Sequence, residues 1–143
     1  MNEYTGGCLC GAVKYKVQGP IKFVAHDHCS ICRRAHGAAF VTWCGVKSEA
    51  EQFQMISGAD QLTCYKSTME AERQFCSICG SQLFFRSTNW PGEVHFTRAS
   101  VDQEMAEQAK AHVYYSDRVK WLDCRDDLPK YGGDTGMEPL GLG

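Results

Sequence analysis

The chain has 143 residues, 43% hydrophobic and 22% charged, with a formal net charge of −2. That length suits a single domain burying roughly 70% of the surface its unfolded form exposes, and that charge argues against an electrostatically driven nucleic-acid or membrane-surface binder. No run of about 18 apolar residues suggests a membrane span, and the opening residues lack the basic and apolar regions of a secretory signal. The expected compartment is cytoplasmic, where nine cysteines point to thiolate metal sites more than to disulfides.

Gly6-Gly7-Cys8-Leu9-Cys10-Gly11 is a glycine-flanked Cys-x-Cys. Two thiolates this close chelate one ion if the backbone turns sharply, which glycine permits; the alternative is a pair of buried small side chains. Val13, Tyr15 and Val17 alternate with Lys14, Lys16 and Gln18, the period of a half-buried strand. Gly19-Pro20 ends it. Ile21, Phe23 and Ala25 alternate again, so a second strand delivers the chain into Asp27-His28-Cys29-Ser30-Ile31-Cys32-Arg33-Arg34. After a break at Ala35-His36-Gly37, residues 38–44 read as a central strand. Ser48 heads one helical turn, with Glu51 completing a capping box.

Residues 53–56 and 62–66 read as short strands. Gln74-Phe75 then leads into Cys76-Ser77-Ile78-Cys79-Gly80, the form of a zinc knuckle whose glycine closes the turn. Leu83-Phe84-Phe85 leaves it as a strand, so a hairpin surrounds the metal. Trp90-Pro91-Gly92 is a turn and Val94 begins another strand. Residues 102–110 have the best helical composition in the chain, and 111–115 return to strand. Residues 121–131 are irregular, and the glycine-rich 132–143 read as a mobile tail. Short strands with glycine turns predict one all-β, or mostly β, domain over residues 1–131.

Two donor sets stand out. Cys8, Cys10, Cys76 and Cys79 offer four thiolates with no open position, the form of a structural zinc that contributes directly to folding. Asp27, Cys29 and Cys32 offer three donors, with His26 or His28 as substitutes. Three ligands leave a fourth position for water or substrate, the form of a catalytic zinc. Arg33 and Arg34 would lower the thiol pKa values and attract an anion. A redox Cys-x-x-Cys and a metal-free pair are the competing readings, and a carboxylate is a poorer partner to two soft thiolates than a third thiolate. Cys44, Cys64 and Cys124 lack partners at ligand spacing and read as packed small side chains. His36, His95 and His112 are isolated and read as surface or satisfied core. Trp43, Trp90 and Trp121 read as core or rim, with none singled out as a pocket wall.

Gly-x-Cys-x-Cys-Gly, then His-Cys-x-x-Cys-Arg-Arg, then Phe-Cys-x-x-Cys-Gly-Ser, in that order, resemble the glutathione-dependent formaldehyde-activating enzyme family, whose domain is shared with centromere protein V. The resemblance spans residues 5–131. It implies an all-β fold of coiled antiparallel strands, related to a Rab accessory factor and to methionine sulfoxide reductase B. It also implies two zincs. Cys8, Cys10, Cys76 and Cys79 match the family's structural ligands, and Cys29 and Cys32 match two of its three catalytic ligands. The third is normally a cysteine, and here it is Asp27. The implied activity is carbon–sulfur lyase or synthase chemistry on thiol–aldehyde adducts of the S-hydroxymethylglutathione type. Asp27, Cys29 and Cys32 would form its centre, and Arg33 and Arg34, with Arg73, would pair with glutathione carboxylates. Because the departure at Asp27 falls on the catalytic set, the alternative is a non-catalytic binding domain holding only the structural zinc. Nucleic acid and membrane are not expected partners.

Overall fold

The protein is described by a computed structural model covering residues 2–141. Twelve strands and two short helices fall among these residues, and the architecture is mostly β. Strands β1 (Glu3–Gly7), β2 (Lys14–Gln18) and β5 (Phe53–Ser57) form an antiparallel three-stranded sheet in the order β1-β2-β5. The larger sheet uses β3 (Phe23–Asp27), β4 (Val41–Val46), β6 (Leu62–Lys66), β7 (Ala71–Cys76), β8 (Gln82–Ser87), β9 (Val94–Thr97) and β10 (Ala111–Val113). Its order is β10-β3-β4-β9-β8-β7-β6. Only the β10–β3 edge of that sheet is parallel.

The alternation at Val13, Tyr15 and Val17 buries all three side chains completely. Tyr15 crosses to the larger sheet, where its ring meets Phe84 edge-on with centroids 5.0 Å apart, and its hydroxyl bonds Ser100 Oγ at 2.6 Å. Phe84, Phe96, Leu83, Val46 and Val94 complete this core. Burial of each such side chain contributes roughly 1.5–3 kcal/mol.

Ser48 caps α2 (Glu49–Gln52) as expected, accepting from the Glu51 amide at 3.3 Å. The reciprocal bond comes from Gln52 rather than Glu51: Gln52 Oε1 accepts from the Ser48 amide at 3.0 Å, and Gln52 Nε2 also reaches the carbonyls of Gln18 and Pro20. Residues 102–110 do not form the expected helix. Nine residues cannot hold a helix unaided, and tertiary contacts claim their backbone. Asp102 N bonds Thr5 O at 2.8 Å, the Arg98 guanidinium bonds the carbonyls of Met105 and Glu107, and Met105 is buried at 5% exposure. Within the segment read as a tail, β12 (Glu138–Pro139) pairs antiparallel with β11 (Tyr131–Gly132). The last two positions of that segment, 142 and 143, lie outside the described residues.

The two Cys-Ser-Ile-Cys copies have different backbones. The first opens α1 (Ser30–His36), a helix that runs through the first two of the three residues read as a break and stops at the third. Cys29 is its N-cap, accepting on Sγ from the Cys32 amide, and Gly37 ends it with φ of 59°. The second copy ends β7 in a turn, closed by a bond from Gly80 N to Cys76 O at 2.8 Å with Gly80 at φ of 79°. The residues C-terminal to each copy decide the outcome. Arg33, Arg34 and Ala35 favour continued helix, whereas Gly80 supplies the left-handed residue that stops it.

Candidate metal centres

The turn between β1 and β2 carries Cys8 and Cys10, and the β7–β8 hairpin carries Cys76 and Cys79. All four Sγ atoms lie within 4.8 Å of one another. Cys8 and Cys10 stand 3.6 Å apart, and Cys10 and Cys76 3.8 Å. A tetrahedral ion bound at about 2.3 Å by sulfur separates its ligands by about 3.8 Å, so the thiols fit one. Val13 N donates to Cys8 Sγ at 3.3 Å, and Ser81 Oγ lies 3.2 Å from Cys79 Sγ. The Ser81 side chain, followed by backbone bonds, pulls the Cys79 thiol down to about 5. An ion here would tie the small sheet to the large one.

Asp27, Cys29 and Cys32 form the second cluster, with donor atoms within 4.8 Å of one another. Asp27 ends β3, Cys29 caps α1 and Cys32 sits in its first turn. Asp27 Oδ1 accepts from the Cys29 amide at 2.9 Å. Burial raises the Asp27 carboxyl to about 6. The Cys32 thiol, by hydrogen bonding, lowers Cys29 to about 7, and that same bond together with burial pushes Cys32 well up. One thiolate is thus favoured over the other, the usual result when two thiols share one site.

These three residues line a cavity of about 550 Å³. Trp43, Phe85, Trp90 and Tyr114 give it aromatic walls, and Arg73 enters from β7. Arg73 is 5% exposed. Its Nη2 donates to Cys32 Sγ at 3.4 Å, its Nε to Ser67 Oγ at 3.2 Å, and its guanidinium stands 5.1 Å from the Phe85 ring centroid. Nη1 is buried without a partner. Arg33 and Arg34 do not line the cavity; they lie in the last turn of α1. The signal for Arg73 was present in the sequence: it shares the inward phase of β7 with Ala71, an unusual place for a cation.

The model of the family described as glutathione-dependent formaldehyde-activating enzyme matches residues 3–117. The chain belongs to that family. A Halomonas elongata protein provisionally named as a glutathione-dependent formaldehyde-activating enzyme is 27% identical over 125 residues, covering 82% of this chain and 78% of its own. An uncharacterised lyase of Schizosaccharomyces pombe is 33% identical over 89 residues, covering 62% of this chain and 61% of its own. The crystal structure of a Rhodobacter sphaeroides protein superposes with a TM-score of 0.56 at 26% identity, covering 71% of this chain and 91% of that one.

The remaining cysteines, histidines and tryptophans separate. Cys44 is fully buried against Met105, as a packed thiol should be. Cys64 is exposed instead, with its Sγ 3.3 Å from Glu72 Oε2. His95 is a satisfied core residue, bonded to Glu93 at 3.0 Å. His112 is buried but not isolated: it meets His28 at 2.8 Å, and Cys124 joins them. Trp43 and Trp90 are both cavity walls, and Trp121 is 76% exposed rather than at a rim. Among the described residues no helix is long and apolar enough to cross a membrane.

Proposed function

We propose that this chain is a zinc-dependent carbon–sulfur lyase or synthase acting on adducts of a small aldehyde with a thiol, of the S-hydroxymethylglutathione type. The observation that carries this reading is the cavity: three donors on its wall, beside a buried arginine with one N–H pair unspent. Family membership and the lyase name of one relative support the same class. Four thiolates at tetrahedral spacing suit a structural zinc, and the two thiolates and one carboxylate at the cavity suit a zinc with an open position.

In the synthetic direction the thiol sulfur bonds to the carbonyl carbon, the carbonyl π pair moves to oxygen, and the thiol proton ends there. Nothing else is released. Asp27, Cys29 and Cys32 would hold the zinc, which would supply Lewis acidity toward the thiol or the carbonyl oxygen. Arg73 anchors an anionic group of the substrate through its free Nη1, a charge-assisted contact. The Trp43, Phe85 and Trp90 rings keep bulk water from the adduct. Of the three arginines that the resemblance suggests for this role, Arg73 is the one that lines the cavity.

The test is the rate at which zinc-replete protein forms or breaks S-hydroxymethylglutathione. Acceleration over the spontaneous reaction, lost in Cys29→Ser, is the expected result. A rate equal to the spontaneous one at micromolar protein, with both ions bound, would overturn the reading.

A further inference from the structure

Side chains alternate along a strand, and on β3 this divides two chemistries. Ala25 and Asp27 face the cavity with Ala111 and Val113 of the parallel neighbour β10. His26 and His112 pair on the opposite face, with ring centroids 5.0 Å apart. His28, one residue past the strand, turns to that same face: its ring centroid is 5.0 Å from those of His112, Phe40 and Tyr115. His28 and His112 are each 1% exposed. Cys124 approaches from the irregular segment after β10, and one ring nitrogen of each histidine and the Cys124 Sγ lie within 4.8 Å of one another.

We propose that His28, His112 and Cys124 form a third metal site, for a tetrahedral transition-metal ion of borderline softness such as zinc(II), on the face of the sheet opposite the cavity. Two imidazoles and a thiolate are a well-matched donor set for such an ion, with a fourth position left for water. Asp126 adds a second observation to this proximity. Its Oδ2 accepts from His112 Nε2 at 2.8 Å, which leaves Nδ1 of His112 as a lone pair. That lone pair faces His28 Nε2 at 2.8 Å. A carboxylate behind a ligating imidazole is the usual support of a metal-bound histidine. Asp126 is itself fixed, accepting from Leu128 N at 3.0 Å and standing 3.6 Å from Lys130 Nζ.

On its other side His28 Nδ1 is buried without a partner. Without an ion, His28 Nε2 therefore carries the proton it shares with His112 Nδ1; with one, that proton moves to Nδ1, where no protein group opposes it, and Nε2 presents a lone pair. An ion bound at about 2.0–2.1 Å by nitrogen separates its ligands by about 3.4 Å. The two rings then part by roughly half an ångström as the ion replaces the proton they share. Cys124 and Asp126 both lie beyond residues 3–117, the span matched by the family model, so half of this cluster stands outside the family pattern.

The experiment counts zinc in the full-length protein after equilibration with excess zinc(II) and gel filtration. Wild type is expected to retain one more ion per chain than either Cys124→Ser or His112→Gln. Asp126→Asn is expected to keep the ion but bind it about 10- to 100-fold more weakly. Cys124 is only partly buried, so Cys124→Ser should fold, which circular dichroism confirms independently of the count. With the closed cysteine site loaded in both proteins, further zinc should also protect the segment from trypsin at Arg118, Lys120 and Arg125 in wild type and not in Cys124→Ser. Equal zinc counts in wild type and both variants would overturn the proposal, as would protection that survives in Cys124→Ser. Asp27→Ala tests the cavity ion separately. If only the enzymatic reading fails, the ion lost in Cys124→Ser is still lost.

Discussion

Arg73→Met separates a residue that serves the cavity from one that serves the fold. The buried guanidinium gives up an unpartnered Nη1, and an unmet buried donor costs roughly 1–3 kcal/mol. Against that stand the bond to Ser67 at 3.2 Å, a long contact to Cys32 at 3.4 Å and the Phe85 face at 5.1 Å. A hydrogen bond from a charged donor is worth about 1.5–3 kcal/mol, and the cation–π contact adds about 2 kcal/mol when desolvated. The losses exceed the gain modestly, so Met of similar length should cost about 2 kcal/mol of stability. Substrate binding has no such gain to set against its loss. Losing a charge-assisted bond of about 1.5–3 kcal/mol weakens affinity for an anionic thiol about 10- to 150-fold. Urea unfolding and calorimetric titration of the zinc-loaded protein with glutathione measure the two quantities. A variant that binds glutathione within twofold of wild type would refute the reasoning. So would one that loses more than about 3 kcal/mol of stability, since Arg73 would then be a structural residue.

Cys76→Ser should remove the closed site. Structural zinc contributes about 10 kcal/mol or more to small domains, so the variant is expected to lose its cooperative unfolding transition, as wild type does after strong chelation; circular dichroism reads both. Asp27→Ala should release one ion per chain, whereas Asp27→Cys should retain it and resist a competing chelator at higher concentration, because a third thiolate suits the two soft donors better. The pH response of His36 has a definite sign. Burial lowers its imidazole to about 4, with Arg73 adding to the shift, while the unfolded chain titrates near 6.5. Its contribution is complete above pH 6.5 and is lost as pH falls through 4. The full displacement corresponds to about 3 kcal/mol, and solvent screening of a partly exposed ring reduces this to about half. His36→Phe keeps a ring against Trp43 and should flatten urea midpoints over that window relative to wild type.

Most of the strands were legible because their signal is local. Tyr15 and Val17 alternate with lysines, and one face of the strand has to be buried. The closed cysteine site was legible as two glycine-flanked pairs, each too small to complete a tetrahedron. What the sequence hid were the features decided by distant partners. Residues 102–110 have helical composition, yet Arg98 and the edge of β1 take their backbone groups. Arg33 and Arg34 are adjacent in sequence to the open cluster, but α1 carries them away from the cavity. Arg73 reaches it because β7 runs alongside β8, whose Phe85 lies directly opposite. The meeting of His28 with His112 depends on a parallel pairing between strands far apart in the chain, and no spacing rule encodes that.

The resemblance implies a third cysteine at position 27, and the charges around Asp27 bear on that difference. Two thiolates and a carboxylate holding a divalent ion would leave one net negative charge in a largely buried site, and the Arg73 guanidinium beside Cys32 would offset it. That balance is the same with a thiolate at position 27, so charge alone does not select the carboxylate. Geometry gives it a use. Asp27 Oδ1 accepts from the Cys29 amide at the start of α1, a bond in which a carboxylate oxygen is a stronger acceptor than sulfur. The carboxylate can therefore brace the turn that presents Cys29 with one oxygen while the other remains for an ion. A thiolate has one donor atom for both tasks. Relative to the third cysteine that the resemblance implies, Asp27 would weaken the soft character of a metal site here and stiffen its frame. Asp27→Asn distinguishes these contributions: its amide oxygen can still accept from Cys29, so the turn should persist, while the cavity ion should be lost with the anionic donor.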